Sequence, residues 1–436
     1  MPVSIHSKPG RRAVIVAGSR TPFHRAFSKL LKLDAVDLGA AAVKGLLDNT
    51  GLDKSEVDSI VWGGVILPSS GPNVGRELGL QLGLPPSIEA MTVTRACASG
   101  LQAVTLAAAA IERGEADVVI AGGGDSTSNA EVKMGQRFVH AFAPVALGKR
   151  MGPSDWMNVA SQLMPISEVL PQQPKVAERS TGELMGEAAE KMAKRNGITR
   201  ESQDQLAVAS HRKAVAAMEA GHLGPEICPV ELPNGDLVST DGLLRPDTSV
   251  EKLARLRPVF DRKNGSLTAG NSTALTDGAG AVLLMSEEKA KALGYTPLAA
   301  FRSWSYVGVD PADQLLIAPA IAMPRALERA GMELSDIDLV DMHEAFAAQV
   351  LCVLQALASD GWARHRLDRD RAVGEVDMAR FNVLGGSLAL GHPFAATGAR
   401  MVTTMARHLH RTGMQTALLG ICAAGGLGAA AVLEAV

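Results

Sequence analysis

The chain has 436 residues, more than one ordinary hydrophobic core accommodates, so two or three domains are expected. Apolar residues make up 47% and charged residues 20%, the balance of a compact soluble protein, and aromatics are scarce at 3%. A net charge of −3 gives no electrostatic case for nucleic-acid binding, and no uncharged apolar run reaches the roughly 18 residues of a membrane span.

From the amino terminus, Met1 to Ala17 carries basic residues but no long apolar stretch, so it does not read as a secretory signal. The pattern then predicts an amphipathic helix from Ala40, capped by Gly51, a Ser-acidic-apolar-Asp turn and an apolar strand reaching Gly64. Cys97 follows, in TRACASGLQAVTLAAAA, at the start of an Ala-rich helix that Gly114 ends. A thiol at a helix amino terminus faces the positive end of the dipole and free N–H groups, which favours thiolate. Read alone, a lone cysteine is a small buried hydrophobe. A buried strand and the glycine turn AGGGDS come next; Ala121–Asp125 lacks dinucleotide-binding spacing.

The segment Gly135–Pro174 is rich in Met, Phe, Trp and Pro, and reads as a lid, a partner surface or irregular core. Ser180 and Glu183 have capping-box spacing ahead of a helix that ends at Gly197, and a second helix covers Arg200 to Ala220. Gly270–Thr273 opens a polar turn, and Gly278–Met285 reads as a strand. Beyond it, a helix from Ala320 to Gly331 and a short strand lead into DMHEAFAAQV, where His343 can donate to an oxyanion and Phe346 can wall a channel. His392 sits in the turn GGSLALGHPFAATGAR ahead of another helix, and Cys422 ends a strand that opens into CAAGGLGAA.

These elements repeat. Ala40–Gly64 aligns without a gap with Ala320–Glu344, Ser99–Ser126 parallels Thr397–Gly426, and Gly278–Met285 matches Gly428–Ala435. The last two elements are contiguous in the second copy but about 150 residues apart in the first, which implies an insertion. The expected organisation is residues 1–128 with 257–298 as one half, 129–256 as an inserted loop domain, and 299–436 as the second half. Alternating strands and helices suggest βαβ units and a mainly parallel sheet. The helices after Cys97 and His392 are repeat partners, so a pseudo-twofold would aim both amino termini at one centre and bring a base to a thiol. Glycines after Cys422 let backbone N–H groups face developing negative charge. Cys97, Cys422, His392 and His343 also form a conceivable zinc set. Three of them lie in separate glycine-rich turns suited to a thioester, so no metal is expected. Four widely spaced cysteines without a CxxC pair argue against a disulfide framework and for a reduced, cytoplasmic setting.

RACASG, HEAF, GGSLALGHPFAATGAR and CAAGGLGAA together make the sequence resemble the thiolases along essentially its whole length. The resemblance implies an α/β chain with the five-layered αβαβα thiolase fold, two duplicated halves and an inserted loop domain. It implies Cys97 as the nucleophile, His392 as its activating base and Cys422 as the acid–base cysteine. The backbone N–H groups of Cys97 and Ala424 would form one oxyanion hole, and a second would be built around His392 with His343 contributing. Phe346, Thr273 and Met185 are expected at the substrate. The commonest thiolase pattern has asparagine where His343 stands; HEAF looks like the β subunits of trifunctional fatty-acid oxidation complexes, with bacterial FadI-type 3-ketoacyl-CoA thiolases the nearest likeness. The expected substrates are 3-ketoacyl-CoA, CoA and acetyl-CoA, with no bound cofactor. The expected partners are a second copy (a homodimer or dimer of dimers) and a hydratase–dehydrogenase α subunit. A short-chain acetoacetyl-CoA thiolase, a β-ketoacyl synthase and a noncatalytic lipid-binding scaffold are the alternatives; Cys422 is unexpected in the synthase, whose decarboxylation needs no such proton donor.

Overall fold

The strands are β1 (Ala13–Arg20), β2 (Ser59–Gly63), β3 (Glu89–Val93), β4 (Val118–Ser126), β5 (Thr276–Ser286), β6 (Ala299–Gly308), β7 (Leu339–Met342), β8 (Thr416–Ala423) and β9 (Leu427–Ala435), most of them grown from apolar runs. β4, β5 and β8 are buried along their whole length, as strands covered on both faces must be. This computed structural model describes residues 11–165, 169–171 and 177–436. They divide into two compact units: residues 130–176, and everything before and after that segment.

In the larger unit the nine strands form one sheet in the order β7-β8-β9-β6-β1-β5-β4-β2-β3, with a short arm at His24–Arg25 added to β5. A narrow antiparallel seam, Val14 opposite Ala300 and Ile15 opposite Ala299, joins β1 to β6. Outward from that seam one side reads β1-β5-β4-β2 and the other β6-β9-β8-β7, with the same succession of directions: two antiparallel ladders, then a parallel one. The repeat in the sequence is thus a repeat of topology.

The expectation of a mainly parallel sheet is corrected. Among the described strands of this sheet, the parallel ladders are β2–β3, β2–β4 and β7–β8. β8 and β9 are joined by a tight turn in which Gly425 (φ 82°) and Gly426 (φ 66°) take the left-handed region, and so short a link cannot make the crossover that parallel neighbours need.

Helices α1 (Ala35–Thr50), α2 (Ser99–Arg113), α3 (Met185–Arg195), α4 (Arg200–Glu219), α5 (Pro319–Ala330), α6 (Ala347–Leu357) and α7 (Ala396–Thr412) cover the sheet. Helix α1 packs on β1, β4 and β5, and α5 packs on β6, β8 and β9. Between them α2 and α7 pack on each other, α2 against β2 and β4 and α7 against strands of both halves. Counted with the two halves of the sheet as separate layers, this is a helix–sheet–helix–sheet–helix arrangement.

α2 and α7 touch because two glycines permit it. A Cβ on Gly100 would lie 2.0 Å from the carbonyl oxygen of Ala395, and one on Gly398 would lie 2.2 Å from the amide nitrogen of Leu101. Any side chain at either position would force the two helix starts apart.

Of the segment 129–256, only 130–176 forms a unit of its own. There, helices Gln136–Ala146 and Pro153–Gln162 are joined through Phe138, Phe142 and Trp156, with ring centroids 4.7 and 6.5 Å apart in succession. Residues 166–168 and 172–176 of the Gly135–Pro174 stretch lie outside the described residues, as do residues 1–10. The remainder, with α3 and α4, belongs to the larger unit, and both helices pack on α6. The capping box expected at Ser180 and Glu183 is not what starts α3. The helix begins at Met185, where the Glu187 carboxylate accepts the Leu184 N–H at 2.8 Å, while the Ser180 hydroxyl donates to Glu178. No helix among the described residues is long and apolar enough to cross a membrane.

Candidate active site

Cys97 is held in a turn directly before α2. Ala96, which precedes it, has φ 45°, a left-handed conformation that is uncommon for a residue with a side chain. Ser99 locks that turn by accepting the Arg95 N–H at 2.7 Å and donating to the Ala96 carbonyl at 2.6 Å. Of the four free cysteines, Cys97 alone keeps a partly open surface.

His392 lies between Gly391 (φ 98°) and the turn into α7, where Phe394 is again left-handed at φ 36°. Its backbone N–H donates to the Thr276 hydroxyl at 3.1 Å, and its Nδ1 shares a 2.6 Å hydrogen bond with Thr397 Oγ1. His343 leaves the end of β7, its N–H held by the Gly420 carbonyl at 2.8 Å and its Nδ1 by Ser387 Oγ at 2.8 Å. The two imidazole centroids are 4.0 Å apart, and one nitrogen of each lies within 4.8 Å of the Cys97 sulfur and of the other. In both rings Nε2 is buried and, among the described residues, has no hydrogen-bond partner. With each Nδ1 engaged by a hydroxyl, Nε2 is the atom left for chemistry.

Cys422, at the end of β8, is close enough for the Cys97 charge to raise its pKa further, and the Ala424 N–H near the Cys97 sulfur acts to lower that thiol's pKa. Cys97, His392, Cys422, His343 and Ala424 are therefore brought together by turns from both halves. Phe346 starts α6 and stacks edge-to-face on Phe260 at 6.0 Å. Met185 is partly buried against the same apolar cluster. Thr273 fastens two site turns, its N–H donating to the Ala345 carbonyl and its hydroxyl to the Ser387 carbonyl at 2.7 Å.

Electrostatics correct one expectation. The helix amino terminus was expected to favour thiolate at Cys97. Burial acts against it: the thiol is pushed up to about 12, with the Asp125 charge adding to the shift and the Ala424 N–H opposing it. Burial likewise pushes Cys422 up and His392 down to about 3, and it holds His343 well below the usual histidine range. The Arg400 guanidinium, itself buried and 3.3 Å from Asp341, lowers both histidines further. The resting centre is a neutral thiol beside neutral imidazoles.

Several residues that build this geometry had no role assigned from the sequence. Asp125 accepts the N–H groups of Val65, Ile66 and Ala395. Glu344 accepts from Ser210, Asn382 and the Leu388 N–H, which pins the strand end bearing His343. Glu178 accepts the Gly425 N–H at 2.8 Å in the turn after Cys422. Asp125 and Glu344 stand inside segments the sequence marks out, AGGGDS and HEAF, but nothing in the letters gave them this bracing role.

Residues 13–288 match the thiolase N-terminal domain family and residues 295–435 the thiolase C-terminal domain family. The chain is 44% identical over 431 residues to a 3-ketoacyl-CoA thiolase of Shewanella loihica, covering 99% of this chain and 98% of that protein. It is 45% identical over 434 residues to one of Yersinia pestis, covering 99% of each. Among solved structures it superposes on human mitochondrial 3-ketoacyl-CoA thiolase with a TM-score of 0.81 at 32% identity, over 98% of this chain and 99% of that one. The Bacillus anthracis acetyl-CoA acetyltransferase gives a TM-score of 0.82 at 32% identity, with 98% and 99% covered. Two matched domains, full-length relatives and the shared layering lead to one conclusion: the chain belongs to the thiolase family of acyltransferases.

Proposed function

We propose that this thiolase cleaves 3-ketoacyl-CoA with CoA to give acetyl-CoA and an acyl-CoA two carbons shorter, the chain-shortening step of fatty-acid β-oxidation. The observation that carries the division of roles is the His392 ring, which has a nitrogen within 4.8 Å of the Cys97 sulfur and whose buried Nε2 has no hydrogen-bond partner among the described residues. His392, with its proton on Nδ1 toward Thr397, takes the thiol proton as Cys97 attacks the 3-keto carbon. The N–H groups of Cys97 and Ala424 receive the negative oxygen. Carbon–carbon cleavage expels the acetyl-CoA enolate. Cys422 gives the enolate its proton and recovers one from the incoming CoA thiol. CoA then takes the acyl group, and the Cys97 sulfur regains its proton from His392. His343 donates from Nε2 directly to the thioester oxygen; the Ser387 hydroxyl can donate or accept, so either tautomer is available to it.

CoA acts as co-substrate and no metal takes part. We read residues 1–128 with 257–298, and 299–436, as the two halves, with 129–256 as the loop domain; the shared strand order supports this. A homodimer, or dimer of dimers, fits the β3 edge, which pairs on one side only and exposes Met91. HEAF supports assembly with a hydratase–dehydrogenase α subunit, and four free cysteines suit the cytoplasm.

Thiolysis assays across 3-ketoacyl-CoA substrates of increasing length, with parent and Cys97→Ala, test this reading. The parent should favour medium or long chains. Activity confined to acetoacetyl-CoA would move it to the short-chain reading, which the likeness to an acetyl-CoA acetyltransferase keeps in view. Substantial turnover by Cys97→Ala would remove the nucleophile assignment.

A further inference from the structure

We propose that Cys97, His343 and His392 together form a binding site for a borderline-soft divalent metal ion, Zn2+ above all, whose occupancy shuts the centre. Three observations converge. The sulfur and one nitrogen of each imidazole lie within 4.8 Å of one another, and they form a potential metal-ligating group among the described residues. Both Nε2 atoms are buried without a partner. Both Nδ1 atoms are held by hydroxyls, His343 by Ser387 at 2.8 Å and His392 by Thr397 at 2.6 Å. When each Nδ1–H donates to its hydroxyl, both Nε2 lone pairs are free, which is the outer-shell arrangement that orients metal-binding histidines.

Zinc bonds of about 2.0–2.1 Å to nitrogen and about 2.3 Å to sulfur set ligand atoms roughly 3.5 Å apart, so closing this set needs a shift of about 1 Å shared by three side chains. One thiolate and two neutral imidazoles match Zn2+ and Co2+; Mg2+ and Ca2+ want oxygen ligands. On binding, the Cys97 thiol releases its proton to solvent, the sulfur–metal bond forms, and water completes four-coordination. Asp341 offsets the nearby Arg400 charge. A metal-bound sulfur cannot carry an acyl group, so the ion inhibits. Only that inhibition rests on the catalytic reading of Cys97; the binding does not. The His343 imidazole is the ligand that an asparagine at this position would not supply.

The test uses the full chain stripped of metal, titrated with Co2+ and Zn2+ alone. Co2+ should produce a thiolate-to-metal charge-transfer band, and Zn2+ should abolish it. Zn2+, but not Mg2+, should protect Cys97 from iodoacetamide. Zinc affinity, read by competition with a chromogenic chelator, should fall roughly 10- to 100-fold in His343→Asn and in His343→Gln, and further in Cys97→Ser. No sulfur-to-cobalt band, or zinc affinity unchanged in both folded His343 variants, overturns the site. If zinc binds as expected while Cys97→Ala stays active, the proposed function fails and the metal site stands; the reverse pairing separates them the other way.

Discussion

The carboxylate of Asp125, at the end of β4 in the first half, accepts the N–H of Ala395, three residues beyond His392 in the second half, at 2.9 Å. Its other oxygen accepts from Val65 and Ile66. One buried acid thus sets how far the histidine turn stands from the nucleophile's side of the molecule. An amide there would turn N–H groups toward N–H groups. Asp125→Asn should lower kcat about 10- to 100-fold through displaced geometry with a smaller change in KM, and should lower the melting temperature, since a buried unmet donor costs about 1–3 kcal/mol. Steady-state thiolysis and thermal melting check both.

Cys422 and Cys97 are close but do different work in the proposed cycle. Cys422→Ser should suppress exchange of the acetyl-CoA C2 protons on the order of 100-fold, and should reduce acylation of Cys97 far less. Deuterium incorporation measured beside acyl-enzyme formation by mass spectrometry tells the two apart. Equal losses in both would mean that Cys422 supports the site as a whole.

A thiol held near 12 by burial is almost wholly protonated at neutral pH. Without substrate, iodoacetamide should label Cys97 far more slowly than an ordinary thiol, whose pKa is about 8.5, and the rate should climb about tenfold per pH unit with no plateau through pH 10. A plateau near 8 or 9, in rates followed by peptide mapping, would show that the helix terminus does dominate.

Acid should unfold the chain partly through its buried histidines. His392 titrates at about 3 when folded against about 6.5 when unfolded, and His343 is also held low. Between those values the unfolded chain binds the extra proton, so stability is present above about 6.5 and is lost as pH falls toward 3. The slope is about 1.4 kcal/mol per pH unit for each ring. Burial of Asp125 and Asp341 acts in the opposite direction, since their folded values are raised. The comparison is therefore with a variant: His343→Asn should flatten the fall in urea stability between pH 6.5 and 5 by about that slope.

Much of the fold was legible because its punctuation is local. Gly51, Gly114, Gly331 and Gly413 each end a helix in the left-handed conformation, and their spacing exposed the repeat. Strand direction was not legible, because it depends on which distant strand becomes the neighbour: β4 and β5 pair antiparallel across the long insertion. The reactive residues stood out because Cys97, His343, His392 and Cys422 sit in glycine-rich or strand-end segments. Their supports did not. Thr276, Ser387, Thr397 and Arg400 are unremarkable as letters, and two of them act across more than 40 residues of chain. The surroundings of the thiol were legible only in part: a helix terminus is visible in sequence, whereas depth of burial is a property of the assembled whole.

Gly100 and Gly398 have a consequence for how such an enzyme can diversify. Main chain meets main chain where they stand, so the spacing of the two helix starts that carry the thiol and the imidazole is set by backbone contact. If Phe346 walls the acyl chain as proposed, adaptation to a bulkier or smaller substrate falls to it and to Phe260, which it stacks on, while the turns that carry the reacting pair stay where the two backbones put them.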